Sequence, residues 1–220
     1  LPFSGVNLVQ NILSTHSKIK TKEDINTLSD FANRVCSIAI LDGIEDTKEK
    51  VKNEIETLKA TYLGDLKTPY FIDKTLTSFF HLGLIKNMFP DAIFVHVKQD
   101  KMTTCFSNFI QPLSHYYVYA TSLESINHFY KTYIGMMSFW KDDFDHEIYE
   151  LDYQKLVQNP KKEIKALLNH CGLEFEEACL HSEKSVNSVL TLSSQALSEP
   201  INPNSTNRWK NFKPYLTELT

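Results

Sequence analysis

The sequence is poor in the features that define several large protein classes. Its 220 residues carry 23 Lys and Arg against 27 Asp and Glu, a net charge of −4. Without a cationic surplus it lacks the basic face with which a general nucleic-acid binder displaces counterions. No apolar run is long enough to span a bilayer: the longest, Phe89 to Val97, is interrupted by Pro90, Asp91 and His96, where a spanning helix needs about 20 apolar residues. The opening residues lack the pattern of a signal peptide. The cysteines, Cys36, Cys105, Cys171 and Cys179, stand far apart, without metal-ligand spacing, and a chain of this size needs no disulfide framework. Reduced, buried thiols are expected. His16, His96 and His115 form no helical pair with ligand spacing either, so structural histidines and no metal are expected. There is no internal repeat and no low-complexity linker. With 42% apolar and 23% charged residues, the chain reads as one folded domain over residues 1–220. The sequon Asn204-Ser205-Thr206 is of a kind that arises often by chance.

What is present begins with the first residues. In "LPFSGVNLVQNILSTH" a turn with Ser4 and Gly5 precedes the apolar rhythm Leu8, Val9, Ile12, Leu13. Free N–H groups and the positive dipole end of a helix starting there attract an anion, although the loop holds no Lys or Arg. A phosphate-binding loop and an ordinary helix start both fit. The absence of a Gly-Lys-Ser/Thr ending leaves no residue for magnesium and argues against a nucleotide kinase.

Periodicity predicts helices over Lys22 to Ile38, with Thr21 as cap, and over Glu45 to Leu63, Leu76 to Met88 and Lys101 to Ile110. A long amphipathic helix carries Leu123, Ile126, Tyr130, Tyr133, Met137 and Trp140 as a core stripe, and another follows Pro160 and ends at Gly172. Strands are predicted at Tyr70 to Thr75, Ala92 to Val97 and Glu147 to Tyr153; the second, a continuous apolar run, suits the interior of a parallel sheet, flanked by the other two. "KDDFDHE" (Lys141 to Glu147) reads as a solvated loop, and the Ser-, Asn- and Pro-rich Ser182 to Pro214 as an ordered loop region or lid. Strands alternating with helices define an α/β fold, a central parallel sheet with helices on both faces. In such folds a phosphate loop follows a strand, so the chain is expected to be a fragment lacking that first strand, unless the loop reading itself is wrong.

Taken in order, "LPFSGVNLVQNILSTH", "FIDKTLTSFFHLGLIKNMFPDAIFVH", "QDKMTTCFS", "YELDYQKLVQNPKKEIKALLNHCGLE" and "NSTNRWKNF" resemble the sulfotransferases that use 3′-phosphoadenosine 5′-phosphosulfate. The branch most similar is the bacterial domain found behind tetratricopeptide repeats, akin to the tyrosylprotein sulfotransferases. The resemblance implies a P-loop-like fold, a nucleotide donor without metal, and a hydroxyl acceptor: a tyrosyl peptide, a glycan, a lipid head group or a small alcohol. It places Ser4, Gly5, Val6 and Asn7 in the loop that holds the 5′-phosphosulfate, with Phe3 where the family carries Arg or Lys and Val6 where it carries a hydroxyl. Gln99 falls at the position of the Arg that binds the 3′-phosphate, with Lys98 beside it, and Ser107 at that of the accompanying Ser. Neighbours on a strand face opposite ways, so Lys98 is an awkward substitute for that Arg. Lys74 corresponds to a Lys that stabilises the transferring sulfuryl group and Tyr153 to a Tyr that contacts the nucleotide. Asp24, with Glu23 beside it, corresponds to the acceptor-activating Glu. Ser193 and Arg208-Trp209 fall in the loop that closes over the donor.

Each residue has a plain alternative. Asp24 suits a helix start, Lys74 a protein surface, and Ser107 a bond to its own helical turn. Two functions follow: an active sulfotransferase, or a catalytically inactive or repurposed sulfotransferase-like binding module that has lost cations at Phe3 and Gln99. Reduced cysteines and the bacterial resemblance favour the cytoplasm, whereas the tyrosylprotein branch works in a secretory lumen. Oligomeric state has no signature in the pattern.

Overall fold

The computed structural model describes residues 1–21, 30–35, 37, 44–63, 68–111, 115–145, 147–182 and 203–219. They are helices interspersed with short parallel strands, in two compact units: Leu1–Ser17 with Ile93–Thr220, and the intervening Lys18–Ala92.

In the intervening unit, β1 (Ile19–Thr21) pairs in parallel with β2 (Tyr70–Ile72), with Ile19 opposite Tyr70 and Thr21 opposite Ile72. Residues 30–35 are helical and α2 spans Ile44–Leu63. Phe31, Leu58 and Met88 form the core, covered by Val35, Ile55, Phe71, Leu84, Ile85 and Phe89. The strand predicted over Tyr70 to Thr75 stops at Ile72, because the Asp73 carboxylate accepts from the Thr75 N–H at 2.6 Å and turns the chain. The helix predicted from Leu76 starts as a 3-10 turn, Ser78–Phe80. It becomes α3 only at Leu82–Met88, because His81, at φ −128°, interrupts it.

In the larger unit, α1 (Val6–Ser14) buries Val9, Ile12 and Leu13. Strand β3 (Val95–Lys98) and β4 (Tyr149–Asp152) pair in parallel, Val95 opposite Tyr149 and Lys98 opposite Asp152. Ordered pairing thus starts later than Ala92, although the Phe94 carbonyl already accepts from Tyr149 N–H at 2.9 Å. Phe71 to Asp73 was expected beside this strand; among the described residues β2 pairs with β1 and β3 with β4. An apolar run sets a strand's depth but says nothing of its neighbour.

Helix α4 (Lys101–Ile110) follows β3 and is capped by Asp100, whose carboxylate accepts from Thr103 N–H at 2.8 Å and Thr103 Oγ1 at 2.9 Å. A 3-10 segment, His115–Thr121, leads to α5 (Leu123–Asp143), capped by Ser122. Its buried stripe is Ile126, Tyr133 and Met137. Lys141 to Asp143, predicted as loop, form its last turn, and the chain reverses at Asp145, φ 45°.

After β4 come α6 (Tyr153–Gln158) and α7 (Pro160–His170). The latter starts with Pro160 and ends as predicted at Gly172, φ 69°. There Leu173 N–H donates to Leu168 O at 2.8 Å and Gly172 N–H to Asn169 O at 3.1 Å, a Schellman closure.

The predicted C-terminal loop is corrected in part. Residues 183–202 lie outside the described set, but Pro203–Tyr215 is a run of 3-10 helix. Trp209, Leu216 and Leu219 pack around Cys105, Phe106 and Ile126. Turn-forming residues link into 3-10 structure, itself a succession of i→i+3 turns, when aromatic anchors fix them to a core.

Candidate anion site at the start of the first helix

The loop before α1 turns tightly, with Ser4 N–H on the Leu1 carbonyl at 3.3 Å. Phe3 (φ 60°) and Gly5 (φ 96°) both occupy left-handed backbone. Gly5 caps the helix through its carbonyl, which accepts from Val9 N–H at 3.2 Å, and its lack of a side chain leaves the first N–H groups of α1 without a side-chain cap. A Cβ on Gly5 would meet the ring of Tyr153, 2.7 Å from Cε2 and closer still to Cδ2. Tyr153 reaches that place because it is the first residue of α6, whose cap Asp152, the last residue of β4, accepts from Lys155 N–H at 3.1 Å.

Helix α4 holds the loop from another side. Buried Asn108 donates through Nδ2 to the Pro2 carbonyl at 2.9 Å and to the Thr104 carbonyl at 2.8 Å, while its Oδ1 accepts from Tyr119 at 3.2 Å.

A pocket opens at the loop, walled by Ser4, Lys98, Gln99, Thr104, Tyr130 and Tyr133, with about 270 Å³ of open space. Much of that space is open to solvent, so the hollow suits an anionic group rather than a whole nucleotide. Ser4 is 3% exposed, and its Oγ is buried without a hydrogen-bond partner. Lys98 is half-exposed, its Nζ 3.5 Å from Glu150 Oε1. Glu150 also lies 3.1 Å from Lys141 Nζ and 3.6 Å from His96 Nδ1. Partial burial pushes its carboxyl pKa up, but the hydrogen bond from Lys141 and the charges of Lys98, Lys141 and His96 outweigh that and hold it below the ordinary carboxylate range. Gln99 turns its Oε1 to the Asp100 N–H at 3.0 Å.

Behind the pocket wall, buried His96 is hydrogen-bonded through Nε2 to the Tyr133 hydroxyl. Burial pushes its pKa down to about 4 despite the nearby Glu150, so the ring is neutral near pH 7.

Of the residues singled out from sequence, Ser4, Gly5, Val6 and Asn7 form the loop and first turn, and Tyr153 packs on them. Lys98 and Gln99 both line the pocket. Strand alternation ends with the strand at Lys98, so Gln99 is free of it. Ser107 is half-buried on α4, where Thr104 supplies the pocket wall. Arg208 is exposed, whereas Trp209 packs into the C-terminal core. Lys74 follows β2 in the other unit, half-buried beside the Asp73 turn. Glu23, Asp24 and Ser193 lie outside the described residues.

Asn108, Tyr133 and His96 were missed as site residues. A polar amide on the apolar face of α4 was the available signal for Asn108; Tyr133 was read only as core. Among the described residues no three His, Cys, Asp or Glu side chains gather as a metal site, and no described helix is long and apolar enough to cross a membrane.

The sequence model of the sulfotransferase family matches residues 1–177, and the chain belongs to that family. An uncharacterized protein of Aquifex aeolicus (strain VF5) is 28% identical over 233 residues, covering 100% of this chain. The chain spans only 31% of that relative's length. Two solved structures share the fold. The sulfotransferase domain from the Synechococcus PCC 7002 olefin synthase superposes with a TM-score of 0.67 at 17% identity, covering 94% of this chain and 83% of that one. The sulfotransferase domain from the curacin biosynthetic pathway gives 0.60 at 12% identity, covering 95% and 87%.

Proposed function

We propose that this chain transfers a sulfuryl group from 3′-phosphoadenosine 5′-phosphosulfate to a hydroxyl acceptor. The observation that carries the reading is the buried, unpartnered Ser4 Oγ, beside a helix start without a side-chain cap and in a pocket with Lys98. Such a hydroxyl lacks only an acceptor, and an anionic oxygen is one. When bound, the donor supplies the activated sulfuryl group and a phosphate leaving group.

The chain's own residues hold and neutralise. Within the loop of residues 4–7, the backbone N–H groups beyond Ser4, whose own N–H is taken by the Leu1 carbonyl, and the dipole of α1 fit the 5′-phosphate, with Asn7 in place of the family's hydroxyl. Tyr153, Ser107, Arg208 and Trp209 are assigned to the nucleotide, Lys74 and Ser193 to charge on the sulfuryl and bridging oxygens, and Asp24 or Glu23 to removal of the acceptor proton. The acceptor is a tyrosyl peptide, a glycan or a small alcohol. No metal is required, because fixed dipoles and cations meet the donor's charge.

Phe3 and Gln99 favour a second reading, a module that keeps the fold and binds another ligand. Each missing guanidinium or ammonium removes charge-assisted hydrogen bonds of about 1.5–3 kcal/mol apiece. Calorimetric titration with 3′-phosphoadenosine 5′-phosphate separates the two: micromolar binding supports the enzyme, and none at millimolar ligand supports the module. In an enzyme, Phe3→Arg with Gln99→Arg tightens donor binding at least tenfold and raises turnover. In a repurposed module binding stays weak. Phe3 is only half-buried, so the new charge keeps contact with water and the melting temperature serves as a control for folding.

A further inference from the structure

The His96 ring sits between two unlike partners. Nε2 bonds the Tyr133 hydroxyl, while Nδ1 is buried without a hydrogen bond and faces Glu150 Oε1 at 3.6 Å. A neutral imidazole has one N–H and one bare nitrogen. With the N–H toward the carboxylate, bare Nε2 accepts the hydrogen bond of the Tyr133 hydroxyl, and the tyrosine offers the pocket only an oxygen. An imidazolium donates to both neighbours. Tyr133 then accepts from Nε2 and its own O–H is released to donate into the pocket, where it joins Ser4 Oγ and Lys98. Protonating His96 and turning Tyr133 into an anion donor are therefore one event.

We propose that Tyr133, backed by His96 and Glu150, is an anion ligand of this pocket, and that the positive charge missing at Gln99 arrives as a proton on His96 when a sulfate or phosphate oxygen binds. The proton comes from solvent, so protein, anion and one proton form the complex together. The proposal rests on the donor-site reading only for the identity of the anion.

Every charged neighbour of the ring bears on the balance. Burial holds His96 neutral in the free protein; Glu150 on β4 favours its charge, while Lys98 on β3 opposes it. From α5, Lys141 pairs with Glu150 and Tyr133 and Tyr130 stay protonated, their pKa values raised by burial. An anion beside Tyr133 adds a second negative charge on the side away from Glu150 and tips the balance toward imidazolium.

Inorganic sulfate is the probe, because it does not itself titrate near neutrality. Calorimetry in two buffers of different ionisation heat counts protons taken up per sulfate. The expected result at pH 6 is uptake approaching one proton, with affinity falling by up to tenfold per pH unit above it. In His96→Gln the uptake disappears and affinity becomes independent of pH; in Tyr133→Phe both affinity and uptake fall. Absence of uptake in the unmutated protein overturns the proposal without recourse to any variant, and so does equal uptake in His96→Gln. Binding of 3′-phosphoadenosine 5′-phosphate with no proton uptake attributable to His96 refutes this inference and leaves the donor site standing. Sulfate binding with uptake, without nucleotide binding, does the reverse. No binding of either refutes both.

Discussion

Gly5→Ala tests whether the loop geometry is built around the tyrosine that follows β4. Two separate penalties are expected. A Cβ at φ 96° forces an L-residue into left-handed backbone, at about 1–2 kcal/mol. The same carbon would stand 2.7 Å from Tyr153 Cε2 and 3.1 Å from Cγ, and relieving such overpacking costs about 1–3 kcal/mol. Together they come to about 2–5 kcal/mol, and at about 2–4 °C per kcal/mol for a chain of this size the melting temperature should fall by about 4–20 °C. A double-mutant cycle separates the parts. In a Tyr153→Ala background the steric part vanishes, and the cost of Gly5→Ala should shrink to the backbone share of about 1–2 kcal/mol. An unchanged melting temperature in Gly5→Ala, or the same penalty with and without the Tyr153 ring, would refute the reasoning.

Three further outcomes are expected. Asp100→Ala removes the cap of α4 and should cost about 1 kcal/mol, seen as a small fall in denaturation midpoint that Asp100→Asn largely avoids. Asn108→Leu leaves the Pro2 carbonyl and Tyr119 hydroxyl without their partner, at about 1–3 kcal/mol, and should weaken nucleotide binding more than Asp100→Ala does. His96 has its pKa lowered from 6.5 to about 4 by burial, so the unfolded chain binds the proton more readily. Stability should therefore drop as pH falls from about 6.5 to about 4; urea titrations of His96→Gln should show a flatter dependence over that window, and an identical slope would contradict a buried neutral ring.

What the sequence revealed was local. Pro160, the buried spacing Ile164, Leu167, Leu168 and the left-handed Gly172 mark both ends and one face of α7 without reference to any other part of the chain. The Ser4-Gly5 turn and the α1 rhythm were legible for the same reason. Partnership across the chain was not. The pairing of β2 with β1 depends on which strands meet, a non-local choice that an apolar run leaves open. Gln99 and Lys98 line one pocket, with Gln99 just past the end of β3, a strand that runs one residue beyond the Val97 read from the apolar run. The His96–Tyr133 bond joins residues 37 positions apart on a strand and a helix; each looked like ordinary core in its own segment. The C-terminal 3-10 run was hidden because its Ser, Asn and Pro residues mark turns, and only its aromatic anchors tell a fixed chain of turns from a loose one.

The tether between Asn108 and the Pro2 carbonyl spans 106 positions, and the unit it completes is assembled from two stretches with Lys18–Ala92 between them. On a ribosome adding about 5–20 residues per second, roughly 5–20 s pass between synthesis of the loop and synthesis of the amide that fixes it. Closing a chain segment of that length opposes the contact by about 4 kcal/mol of entropy, which the amide bond alone does not offset. Order in the loop must then follow formation of β3 and α4, so within this segment the residues translated earliest are among the last to settle.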